Sequence, residues 1–235
     1  MTAPRSIWLI AFGTAAVVHL VLNGADLAPW ASITKCLLAP LLAAWVIQQR
    51  GPRLLVVALV FCFLGDLFLE IEGMFILGMA AFAIAHISFI TLFVQRGALD
   101  RLRANPLPLI GYVVAAIALV AWCWGGLEPG LKAPIPVYAA LLVGTAAVSW
   151  STDRLAGIGG ALFLVSDGII ALGEAGRIDA DATWTGLAIM ALYSLAIYCL
   201  TTGIMAREHR TVAAGTSFDP TIHTDCWPRV PSSQQ

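Results

Sequence analysis

Val60-Phe-Cys-Phe-Leu-Gly-Asp-Leu-Phe-Leu-Glu70 places two carboxylates inside a run that otherwise reads as lipid-soluble. Asp66 has uncharged, non-polar neighbours on both sides, and Glu70 follows four positions later, so a helix here carries both acids on one face. A second acid in the same setting occurs in Gly160-Ala-Leu-Phe-Leu-Val-Ser-Asp-Gly168. An ionisable group at membrane depth costs on the order of 3 kcal/mol on insertion scales, and groups retained against that cost are read first as functional. Asp66 and Asp167 are therefore the residues around which a function is sought.

The rest of the chain supplies the membrane setting. Of its 235 residues, 60% are hydrophobic and only 11% charged, against about 25% charged in a soluble domain. The chain reads as an all-α, polytopic membrane protein. A formal net charge of -1 argues against nucleic-acid binding. Met1-Thr-Ala-Pro-Arg5 runs straight into apolar sequence without a cleavage region, so the first helix is expected to stay in place. Five cysteines are present, none in a CxxC pair, and most lie in apolar runs as small hydrophobes.

At about 20 residues per span, the chain divides into eight expected helices at 6–23, 31–48, 54–72, 74–94, 106–125, 134–150, 155–173 and 183–205. Pro106 and Pro134 suit helix starts, where a missing N–H does no harm. Arg5, Arg50, Arg53, Arg96, Arg101, Arg103, Arg154, Arg207 and Arg210 all fall at one set of helix ends. The positive-inside rule then predicts a multi-pass protein of the cell membrane with both termini cytoplasmic. Residues 1–210 form one expected transmembrane domain, and the polar stretch 211–235 reads as a disordered cytoplasmic tail. Arg53 to Asp66 and Arg154 to Asp167 both span 13 residues, so a bundle built from two parallel four-helix repeats is an open reading. Both acids then lie about 9 Å below the non-cytoplasmic helix ends, at a rise of 1.5 Å per residue.

Two carboxyls facing one cavity push their protonation apart, which suits a general acid beside a general base. Glu70 lies one turn further out, at the mouth of such a site or at the interface. Lys35, about one turn inside the second helix, is read three ways: it snorkels, counters the acids, or contacts a lipid phosphate. Pro40 in the same helix removes a backbone bond and loosens it. His86, deep in the fourth helix, suits a helix-to-helix hydrogen bond, and His19 and Tyr193 are similar candidates. No His pair has the spacing of a zinc site, so no metal is expected. Neither a serine nucleophile elbow nor a glycine-rich phosphate loop occurs.

The order of these elements is similar to a known family. Lys35 with Pro40, Phe61-Cys-Phe-Leu-Gly-Asp66, Gly78/Phe82/His86 at four-residue spacing, Ala161-Leu-Phe-Leu-Val-Ser-Asp167 and Tyr193 follow one another as in the YhhN-type lysoplasmalogenases. That resemblance covers most of residues 30–205. It implies about eight membrane helices and cleavage of the vinyl-ether bond of a lysoplasmalogen, without metal or organic cofactor. The products it implies are a fatty aldehyde and glycerophosphoethanolamine or glycerophosphocholine; a related lysolipid is also within its reach. Asp66 and Asp167 then take the acid–base roles, with Lys35, Glu70, His86, Ser166 and Tyr193 around the substrate. The residues alone leave a second reading open, a proton-coupled transporter of a small molecule or lipid with the same acids as a relay. The expected partners are the lysophospholipid substrate and membrane lipids; the oligomeric state is not encoded in any motif.

Overall fold

The computed structural model describes residues 7–216, with side chains as far as Arg207. Its elements are α1 (Ile7–Gly24), α2 (Ala28–Gln48), α3 (Arg53–Leu69), α4 (Phe75–Gln95), α5 (Ala98–Ala104), α6 (Leu107–Cys123), α7 (Pro134–Thr152), α8 (Arg154–Glu174) and α9 (Thr183–Thr216). A single 3-10 turn, Pro129–Leu131, precedes α7. The eight long helices are those read from the sequence; α5 is additional. It is seven residues long, too short to span, and meets α6 at 90°. It occupies the stretch between the fourth and fifth expected helices and ends at the Asn105-Pro106 break.

Among the described residues, six helices are long and apolar enough to cross a membrane, and α5 with α6 makes a seventh if the bent pair counts as one span. The 17 residues of α3 sit at the lower edge of spanning length. The molecule is an all-α, multi-pass membrane protein. At its far end, α9 continues to Thr216, so its backbone runs six residues into the segment expected to be disordered. The rest of that expectation, 217–235, lies outside the described residues.

The local chemistry of the helix ends explains where they start. Asp153 caps α8, its carboxylate accepting from the Leu155 and Ala156 N–H groups at 3.0 and 3.1 Å, which satisfies two of the four otherwise open donors. Proline near the start of α2, α6 and α7 sits where no intrahelical donor is needed.

Packing then fixes the order. α3 lies against α2 and α4, α8 against α7 and α9, and α4 against α7, so the two acid-bearing helices are joined through α4, α7 and α9. Leu38, Leu42, Leu55, Leu59, Phe89, Phe163, Ile197 and Leu200 fill the shared core. Lipid tails are as apolar as leucine, so close backbone approach rather than water exclusion holds such helices together. Gly159 shows it: a Cβ there would stand 2.6 Å from Leu200 N and 2.7 Å from Ala196 O. By contrast, α6 leans on α7 at the edge and touches α8 only lightly.

Both α3 and α8 start from the arginine-rich end, and each carries its aspartate at the same distance from its opening arginine. That end is closed by contacts between distant turns. Arg96 donates to Ile204 O at 3.3 Å, Ser151 to Ala98 O at 3.3 Å, and Arg207 to Thr152 O. At the opposite end, Arg177 donates to Trp122 O at 3.0 Å.

Candidate active site

Asp66 and Asp167 line one cavity. Its atom-free space is about 950 Å³, open mouth included. The cavity runs from mid-bundle toward the end opposite the arginines. Its walls come from α4 (Phe75, Met79, Phe82), α6 (Leu119, Val120, Cys123), α7 (Ile135, Tyr138, Leu142), α8 (Leu164, Ser166, Asp167) and α9 (Ile189, Met190, Tyr193). Asp66 and Leu69 of α3 and Lys35 of α2 complete it. The lining is overwhelmingly apolar, and its charged groups are the two aspartates and the lysine, with Tyr138, Tyr193 and Ser166 beside the aspartates.

Each aspartate is held by a tyrosine from another helix. Tyr193 donates to Asp66 Oδ2 at 2.6 Å, and Tyr138 donates to Asp167 Oδ2 at 2.5 Å. Asp66 is 2% exposed, so its carboxyl depends on such partners to be tolerated at all. Gly65 makes room beside it: a Cβ there would lie 2.5 Å from the Phe82 ring.

An aromatic cluster joins the two tyrosine–aspartate pairs. Phe163 contacts Tyr193, Phe82 and His86 edge to face, with centroids 5.5, 6.0 and 4.6 Å apart. Phe163 lies one turn before Asp167 in α8, and Phe82 one turn before His86 in α4, so each helix sends its ring and its polar group from one face. His86 is fully buried. Its Nε2 is 3.4 Å from the Tyr138 hydroxyl, and its Nδ1 is 3.1 Å from Thr145 Oγ1.

The remaining sequence-derived candidates divide. Lys35 lines the cavity, but its ion-pair partner is Glu70, Nζ to Oε1 2.7 Å, and Ser32 also donates to Glu70. Glu70 lies in the turn after α3. Burial there pushes its carboxyl up, yet Lys35 and the two hydrogen bonds outweigh this and leave it below the ordinary glutamate range. Glu70 is not among the residues that line the cavity; it pairs with Lys35, which is. Ser166 is buried beside Asp167 and donates to Ile189 O at 3.0 Å, tying α8 to α9. His86 stands behind Tyr138 rather than in the lining, and His19 binds α1 to α2 through Ala31 O at 2.9 Å.

Tyr138 is the site residue that sequence reading passed over. It sits one turn into α7 after Pro134-Ile-Pro-Val, where a lone tyrosine reads as an interface residue. Its role comes from a partner 29 positions away across a helix pair.

Comparison with known proteins identifies the family. The YhhN family profile matches residues 30–204. The human protein Lysoplasmalogenase TMEM86B (Homo sapiens) is 32% identical over 174 residues, covering 70% of this chain and 73% of its own length. No solved structure matches the chain.

Proposed function

The chain belongs to the YhhN family, and from that premise we propose that it hydrolyses the vinyl-ether bond of lysoplasmalogens, or of a closely related lysolipid, by paired carboxyl catalysis. The observation that carries the reading is the pair of tyrosine-held aspartates on one apolar cavity. Such a cavity suits a single-chain amphiphile, with the chain along the apolar walls and the head group toward Lys35.

The chemistry follows from the substrate's bond. A protonated carboxyl delivers its proton to the β-carbon of the enol ether, leaving an oxocarbenium ion. The ionised carboxylate stabilises that cation and takes a proton from the attacking water, giving a hemiacetal. Collapse of the hemiacetal breaks the second C–O bond. The proton held by the base goes to the departing glycerol oxygen, and the hemiacetal hydroxyl proton returns to the first carboxylate. Both groups end as they began, one water is consumed, and fatty aldehyde and glycerophospho-alcohol leave.

The test is product identification. Protein purified in detergent and given a lysoplasmalogen should release fatty aldehyde and glycerophosphoethanolamine or glycerophosphocholine in equal amounts. Absence of aldehyde under conditions where the protein stays folded overturns the reading and gives the relay in a transporter the stronger claim.

A further inference from the structure

The proposed function leaves open which aspartate is the acid. We infer that Asp167 is the ionised partner, held and oriented by a one-way hydrogen-bond chain, Thr145 to His86 to Tyr138, with His86 and Tyr138 as positioning residues. The inference rests on the acid–base reading above, but its geometry does not.

The direction of the chain follows from donor counting. A tyrosine hydroxyl has one proton. At 2.5 Å from Asp167 Oδ2, against 3.4 Å from His86 Nε2, that proton belongs to the aspartate bond. The Tyr138 oxygen can then only accept from His86, so Nε2 carries the imidazole hydrogen. Nδ1 is left as an acceptor, and the Thr145 hydroxyl, 3.1 Å away, must donate to it. Every donor in the series points toward Asp167 Oδ2, which favours negative charge on that carboxyl and fixes its rotation.

Asp66 accepts from Tyr193, and behind that hydroxyl stands the Cys62 thiol, a weak donor, with no imidazole or further hydroxyl in series among the described residues. Lys35 acts on Asp66 across the cavity, and Glu70, 2.7 Å from its Nζ, acts on Asp66 with the opposite sign and offsets part of that pull. Asp66 is thus the group left to carry the proton and deliver it. The ionisable groups facing the cavity around Asp167 are Tyr138 of α7, Asp66 of α3, Cys123 of α6, Tyr193 of α9 and Lys35 of α2. Behind them stand Cys62 of α3 and His86 of α4. Among these, Tyr138 is the one that hydrogen-bonds Asp167.

Two readouts test this. The first needs no substrate: ¹⁵N spectra of the full chain in detergent, with the His86 signals assigned by their loss in His86→Phe, should show a ring protonated on Nε2 alone. A ring protonated on Nδ1 alone, or on both nitrogens, overturns the chain whatever the activity. The second is the kcat–pH profile. Tyr138→Phe and His86→Phe should each lower kcat by roughly 10-fold or more with KM little changed, and should move the acid limb to higher pH. The double variant should be no worse than Tyr138→Phe, because the polar effect of His86 reaches Asp167 through Tyr138, while the Phe ring keeps the edge-to-face packing on Phe163. Additive losses, or an acid limb that stays in place in both single variants, overturn the positioning role. A wild type without aldehyde release counts against the proposed function alone, since the spectra decide the wiring separately.

Discussion

Phe163 is where residue-level energetics and the site meet. It is fully buried and touches the ring of Tyr193 and, through His86, the Tyr138 side. Phe163→Ala should cost about 3–5 kcal/mol of stability, the usual range for emptying such a site. It should lower activity further by loosening both aspartate pairs. Thermal melting checks the first effect; a variant that melts like the wild type contradicts the packing. Lys35→Met should behave differently. If Lys35 meets a head-group phosphate, KM should rise about tenfold, equivalent to ~1.4 kcal/mol, while kcat changes less. An unchanged KM with a large fall in kcat contradicts that role. At this scale, Asp66, Asp167 and His86 were legible because a polar group in an apolar run announces itself. Tyr138, Thr145 and the turn of Lys35 toward Glu70 were not. Each depends on a partner in another element, and spacing along one chain says nothing of which elements will touch.

Among the elements, α8 positions the most. It is packed between α7 and α9, and its small residues allow the approach that sets Tyr138 beside Asp167 and Ser166 against Ile189. Gly159→Val should therefore fail to yield folded protein, since its Cβ alone would meet the α9 backbone within 2.6–2.7 Å. Monodisperse, active Gly159→Val protein contradicts the seam. The eight long helices could be read from apolar length, prolines and arginine placement. The seven-residue α5 could not, because so short a segment has no periodicity to detect and its direction is fixed by docking on α7.

For the whole molecule, arginines gather at the end closed by Arg96, Ser151 and Arg207 contacts, and the cavity lies toward the other end. Reporter fusions after Arg103 and Arg210 should report the cytoplasm, and a fusion at Gly130 the opposite side; an inverted pattern contradicts the orientation. The central claim is that two aspartates from parallel helices divide one proton-transfer task. It is tested most directly by aldehyde release from lysoplasmalogen by wild type, Asp66→Asn and Asp167→Asn, each first shown to be folded. The amide keeps the shape of the carboxyl but cannot exchange a proton. Each single variant should lose about 10² to 10⁴-fold in turnover, and the double variant should be little worse than the worse single. Near-normal aldehyde release from either folded Asn variant would contradict the account.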